Sequence, residues 1–219
     1  MTAAQLTLSR EILTGPTLDA ARALLGANLV REAPDRDPQG RRIGRIVEVE
    51  AYIGEDDAAS HARFGRTTRN GVMFGPPGIA YVYLVYGMYE CLNVVTEPTG
   101  RPAAVLIRAA EPVAGVPAMR ASRRAHALRR ASTNDARART ASRIAGLAPG
   151  RLASGPGLVA AAFDITRADT GLDLLDPSAL LRLEAGAPPV GIVATPRVGI
   201  GYAPEPWRSL PWRFVARAG

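Results

Sequence analysis

The stretch from Gly44 to Arg63 reads GRIVEVEAYIGEDDAASHAR, and its first ten residues alternate as a half-buried β-strand does. Val47, Val49, Ala51 and Ile53 fall on one face, and Ile46, Glu48, Glu50 and Tyr52 on the other. The strand thus presents two carboxylates and a phenol together, then runs into a loop carrying His61, one of only two histidines. An exposed acidic face is the ordinary reading, because glutamate is seldom buried. The alternation alone does not separate Glu48 from Glu50.

Downstream, residues 54–78 are long, polar and glycine-rich, a loop of a length that is usually functional or disordered. IAYVYLVY (79–86) reads as the next strand, with Tyr81, Tyr83 and Val85 on one face and Val82, Leu84 and Tyr86 on the other. Gly87 breaks it, and a further strand runs through Leu92-Asn93-Val94-Val95. AAVLIRAA (103–110) reads as a buried strand with one intruder, Arg108. Unless it reaches solvent from a strand end, its guanidinium demands an acidic partner. Upstream, residues 1–15 read as a short arm. Thr17 can cap a helix running to about Val30, and Pro34 to Gly40 is turn chemistry. Near the end, LLRLEAG, VGIVAT and RFVARA are strand-like.

The chain has 219 residues, 47% of them hydrophobic, which suits one globular domain. No apolar run approaches the ~20 residues that span a bilayer, and MTAAQLTLSREIL does not read as a signal peptide, so a cytoplasmic protein is expected. Cys91, alone, excludes an intrachain disulfide and reads as a buried small hydrophobe. With only His61 and His126 beside it, no metal site is expected. Lys+Arg number 27 against 20 acids, and every basic side chain is arginine. Such a balance favours polyanions, nucleic acid first. The absence of lysine also removes any side-chain amine that could form a Schiff base.

Charge is concentrated in an arginine-rich insertion at about 113–152. Arg120, Arg123, Arg124, Arg129, Arg130, Arg137, Arg139, Arg143 and Arg151 occur there with Asp135 the only acid. It reads as helical and suited to phosphate contacts. Ser154-Gly155-Pro156-Gly157 then opens a helix to about Phe163, with Pro156 in its first turn. Tyr81 and Tyr89 are expected to pack, Met73 and Met88 to line core or pocket, and His126 to lie on the surface.

No phosphate-binding GxxxxGK[ST] loop, GxSxG elbow or metal-spaced histidine pair is present. A carboxylate, an arginine and clustered tyrosines suit hydrolysis beside a flat, stacked ligand. The ordered blocks EVEAYIGEDDAASHAR, RNGVMFGPPGIAYVYLVYGMYECLNVV, AAVLIRAAEP, LASGPG and RVGIGY resemble the alkyladenine (3-methyladenine) DNA glycosylase family. The likeness is to a bacterial member of the type also found in mammals, and it covers roughly residues 8 to 217.

The resemblance implies a role for each candidate. Glu50 matches the general base that activates water for attack at the deoxyribose C1′ carbon. Arg108 matches the arginine that holds that water and carboxylate, and the Ile200 carbonyl matches the water's further ligand. Tyr52 and His61 match residues that stack on and hydrogen-bond an extruded base, with Tyr83 on its opposite side. Asn93 matches the residue that crowds the exocyclic amine of normal guanine, and Tyr86 matches the wedge that fills the vacated place in the duplex. The expectation is a monomeric, cofactor-free enzyme on double-stranded DNA containing damaged purines, releasing 3-methyladenine, 7-methylguanine, hypoxanthine or ethenoadenine. Without lysine it should be monofunctional, leaving the abasic strand uncut. The fold expected is a single α+β domain over residues 1–219, a curved antiparallel, barrel-like sheet edged by helices. The rival is a catalytically inactive nucleic-acid-binding module of the same fold. Three departures stand out: the family's usual lysine after SGP is absent from SGPGLVAAAF, RFVARAG ends short of the family's usual terminal segment, and the arginine-rich stretch before Arg151 is longer than expected.

Overall fold

A computed structural model describes residues 8–85 and 87–217. In chain order it has α1 (Arg10–Thr14), α2 (Thr17–Leu24), β1 (Asn28–Arg31), β2 (Arg42–Ile53), β3 (Ala80–Val85), β4 (Tyr89–Val95) and β5 (Ala103–Ala114). There follow α3 (Val116–Leu128), α4 (Asn134–Ala145), α5 (Pro156–Phe163), β6 (Leu181–Glu184), β7 (Ile192–Thr195) and β8 (Arg213–Ala216). The strands form one antiparallel sheet in the order β3-β4-β5-β2-β1-β6, with β8 also on β2 and β7 on β8. The expected α+β domain with a curved, half-barrel sheet is what the chain adopts.

Strand β2 is long enough to serve three neighbours. β5 runs along one edge from Ile43 to Ile53. The other edge is divided: β1 pairs with Arg42 to Arg45, and β8 with Glu48 to Glu50. Where the neighbour changes, the strict alternation expected from the sequence breaks. Ile46 pairs with Ala110, Glu48 with Ala109 and Val49 with Ile107, so each strand carries one extra residue, Val47 in β2 and Arg108 in β5. The core face therefore steps by three, from Ile46 to Val49 and from Ile107 to Ala110, and all four belong to the main core. Ile46, expected on the acidic face, lies instead with Leu24, Leu29, Phe163 and Phe214. Burying side chains of that size stabilises by roughly 1.5–3 kcal/mol each. Gly44 leaves room for this packing, since a Cβ there would meet the Phe163 ring at 2.8 Å.

The helix expected from Thr17 to Val30 ends at Leu24. Gly26, at φ 90°, has the Ala187 carbonyl 2.2 Å from where a Cβ would stand. Its N–H donates to the Ile46 carbonyl, drawing the chain into the sheet as β1. Nor does Thr17 cap the helix: Pro16 holds that position, and the buried Thr17 hydroxyl donates to Glu97 Oε1 at 2.6 Å. The arm contains α1, capped by Ser9. α5 begins at Pro156 as expected. The arginine-rich segment folds as α3 and α4, where Arg120 Nη1 donates to the carbonyls of Ile144, Ala145 and Leu147 at 2.7–2.9 Å. Arg123 holds the Leu152 carbonyl and Arg137 that of Leu128. Part of the segment's charge thus satisfies backbone carbonyls, as arginines near helix C-termini do.

Candidate active site

The matched irregularity in β2 and β5 brings Glu48 and Arg108 together. Arg108 Nε donates to Glu48 Oε1 at 2.8 Å and Nη1 to Glu50 Oε2 at 3.2 Å. Arg213 on β8 donates to Glu48 Oε1 at 2.6 Å. Two carboxylates thus face two guanidiniums, and the partner that the buried arginine demanded is present. The two glutamates differ in surroundings. Glu48 is held between Arg108 and Arg213, whereas Glu50 is 0% exposed and held by groups that line a pocket. Glu50 Oε2 accepts from the Tyr52 hydroxyl at 2.9 Å as well as from Arg108, and Oε1 accepts from the Val198 N–H at 2.6 Å. Burial pushes its carboxyl above the ordinary range, against the opposing pull of Arg108, Val198 and Tyr52.

The pocket measures about 470 Å3, within the size range of small-ligand sites. β2 supplies Tyr52, β3 Tyr81 and Tyr83, β4 Cys91 and Asn93, and β5 Leu106 and Arg108. The loop after β2 supplies His61, Arg69 and Met73, and the segment before β8 supplies Val198 to Ile200 and Tyr202. His61 meets the Tyr83 ring edge-on at 4.3 Å, and its Nδ1 shares a 3.1 Å hydrogen bond with the Tyr81 hydroxyl. Burial, then Arg69 and Arg63, lowers the imidazole to about 4, so His61 is neutral at pH 7. Burial raises the Tyr83 and Tyr52 phenols, with Glu50 adding to the effect at Tyr52, so both stay protonated. Asn93, buried, donates from Nδ2 to the carbonyls of Tyr81 and Cys91 at 3.1 and 3.3 Å, which fixes its amide against the wall.

Arg108, Tyr52, His61, Tyr83 and Asn93 therefore line one cavity, and Glu50 is buried behind its wall, bonded to Arg108 and Tyr52. Ile200 lines the cavity too; its carbonyl accepts from the Ala203 N–H at 2.9 Å, which leaves one lone pair for a water, and the backbone N–H on Glu50 comes from Val198. Tyr86 lies outside the described residues. Met73 lines the pocket as expected, whereas Met88 is half exposed. His126 is not a free surface residue: its Nε2 stands 3.0 Å from Asp164 Oδ1. Cys91 is buried in the pocket wall, which raises its thiol to about 12.

Sequence reasoning missed three contributors. The Val198 N–H reaches Glu50 across 148 residues. Asn70, buried under the loop, donates to the carbonyls of His61 and Gly65 at 2.9 and 3.0 Å and so sets the position of the imidazole. Tyr202 stands in the quoted RVGIGY block and donates to the Ala59 carbonyl. All three stand in the quoted blocks, Asn70 in RNGVMFGPPG and Val198 with Tyr202 in RVGIGY, but nothing in the blocks marks their contacts. Among the described residues no cluster of three His, Cys, Asp or Glu could hold a metal ion, and no helix is long and apolar enough to cross a membrane.

A family model described as methylpurine-DNA glycosylase matches residues 11–218. A curated protein of Methanocella arvoryzae is 49% identical over 94% of this chain and 90% of its own length. One of Myxococcus xanthus is 43% identical over 92% and 86%, and one of Bacillus cereus 42% identical over 91% and 90%. All three bear the name "Putative 3-methyladenine DNA glycosylase".

Proposed function

The chain belongs to the methylpurine-DNA glycosylase family, a DNA-repair family, and from that premise we propose that it excises alkylated or deaminated purines from duplex DNA by base flipping. The observation that carries this reading is a buried carboxylate, its pKa raised, bonded to Tyr52, Arg108 and Val198 in the wall of an aromatic pocket of small-ligand size. A base inside the stack cannot be reached, so the target nucleotide turns out into the pocket at a cost of a few kcal/mol, least for damaged pairs. Tyr86 is assigned as the wedge that offsets this unstacking. Tyr52, His61 and Tyr83 receive the purine. Their rings favour alkylated bases, which are electron-poor or cationic, through cation–π attraction. The tethered amide of Asn93 crowds the exocyclic amine of normal guanine.

Glu50 is the general base. An ionised carboxylate offers about four lone-pair sites. Tyr52, Arg108 and Val198 occupy three, leaving one on Oε1 for a water hydrogen. Glu50 is fully buried in the free protein, so its contact with the water is made only in the DNA complex, as catalytic hydrogen bonds often are. The C1′–N bond breaks with electrons passing to the purine, and the resulting oxocarbenium-like sugar is stabilised by the Glu50 charge. Water then adds at C1′ and its proton passes to Glu50. Arg108 opposes the effect of burial and favours the ionised form of the carboxylate.

With no lysine in the chain, the product is an abasic strand that stays intact until alkali or heat is applied. The test is incubation of dimethyl-sulfate-treated duplex with the protein, with free bases and strand breaks measured separately. Release of 3-methyladenine or 7-methylguanine with uncut strands is expected. Binding without release would favour the inactive-module reading, and prompt nicking would contradict the monofunctional mechanism.

A further inference from the structure

Tyr52 is backed by an ion pair that the steps above do not use. Asp57 and Arg197 both have side chains 0% exposed. Arg197 donates from Nη1 to Asp57 Oδ2 at 2.6 Å and from Nη2 to Oδ1 at 2.9 Å, a two-point fork. It also donates to the carbonyls of Ala51 at 2.9 Å and Trp207 at 3.3 Å. Its guanidinium carbon lies 4.7 Å from the Tyr52 ring centroid and 5.0 Å from that of Trp212. Asp57 in turn accepts from the N–H groups of Ile53 and Ala59 at 3.2 and 3.0 Å, tying the His61 loop to the end of β2. Removing two charges from water is expensive, and apolar replacements of such pairs are often as stable or more so. Stability alone is therefore a weak account of it.

Its connections supply a better one. Arg197 is covalently followed by Val198, whose N–H donates to Glu50, and the carbonyl it grips belongs to Ala51, between Glu50 and Tyr52. We propose that Asp57 and Arg197 are a positioning pair that holds the Tyr52 ring and the Val198 N–H in register with Glu50. One buried guanidinium then fixes both the surface against which a base stacks and the hydrogen bonding of the general base. The inference rests on the reading of Glu50 as that base. The groups facing Glu50 are Arg108 from β5, Tyr52 from β2 and the Val198 N–H, with Glu48 and Arg213 completing the local charge.

The test is the pH profile of single-turnover base release from dimethyl-sulfate-treated duplex by wild type, Arg197→Lys and Asp57→Asn, with folding checked by circular dichroism. Both variants should be roughly 10- to 100-fold slower near neutral pH, as misplacing reacting groups by about 1 Å costs. Their acid limbs should lie at higher pH than that of wild type, because the Val198 N–H favours the ionised carboxylate. Trp212→Leu loosens the guanidinium without touching the buried charges and carries the comparison if Arg197→Lys does not fold. A uniform slowing with an unmoved acid limb, or no slowing at all, overturns the proposal. An inactive wild type counts against Glu50 as base, not against the pair.

Discussion

On the sheet, Arg108 and Arg213 converge on Glu48, Arg108 also reaches Glu50, and Arg197 forks onto Asp57. Across α3 and α4, by contrast, Arg120, Arg123 and Arg137 hold backbone carbonyls, while Arg124, Arg129 and Arg139 are exposed. The same side chain thus does three jobs, sorted by what each site lacks. A buried carboxylate draws a counter-charge, a helix end draws donors, and an exposed guanidinium is left to solvent, the setting in which a phosphate contact can be tested. Composition alone assigns all of these arginines to DNA. The structure divides them.

Each job has its own signature. Arg108→Met leaves Glu50 buried without its guanidinium, and base release should fall about 100- to 1000-fold in single-turnover assays, the range found when a preorganised electrostatic contact is removed. A small loss would mean that Glu48 and Arg213 compensate and that the sheet arginines are less specialised than described. Arg120→Met should instead lower stability by about 1.5–3 kcal/mol in urea melts, since charged donors leave three carbonyls. Release by the folded protein should change little. The smallest effect is expected at Arg124 or Arg139: Arg→Ala should leave Tm unchanged, while the slope of log K against log salt falls by about 0.9 per lost phosphate contact. An unchanged slope at both positions would remove the exposed helical face from the DNA interface.

Stability against pH sharpens the contrast from the catalytic side. Glu50 has its carboxyl raised in the folded state, mainly by burial. Folding therefore favours its protonated form, a contribution fully present below the unfolded carboxyl value and lost as pH rises through the raised folded value. Glu50→Gln should accordingly melt higher than wild type at pH 7 to 8, with the gap closing toward pH 4. Thermal melts across that range check it. A gap that stays constant with pH would show that Glu50 is not strained by burial.

Much of this was legible in the sequence where local pattern and local structure agree. The carboxylate-bearing strand, the tyrosine strand, the buried strand with Arg108 and the proline-started α5 all follow from periodicity or turn chemistry. What failed was set by tertiary contact. The three-residue step at Val47 exists because Arg108 is extra on the facing strand, so neither irregularity is visible from one strand alone. The end of α2 depends on the Ala187 carbonyl beside Gly26, far along the chain. Asp57 and Arg197 are separated by 140 residues, and nothing in either neighbourhood marks them as a pair. The Val198 N–H could not be read at all, because every residue has one.

The separation of Glu50 from Glu48 is where pattern ended and geometry began, and it admits one direct measurement. Single-turnover release of methylated purines should be compared for wild type, Glu50→Gln and Glu48→Gln at saturating enzyme, with duplex binding measured alongside. Glu50→Gln should bind within about threefold of wild type and lose release by at least about 1000-fold, whereas Glu48→Gln should retain measurable release. Release by Glu50→Gln at the wild-type rate, or a deeper loss at Glu48 than at Glu50, would contradict the assignment of the general base.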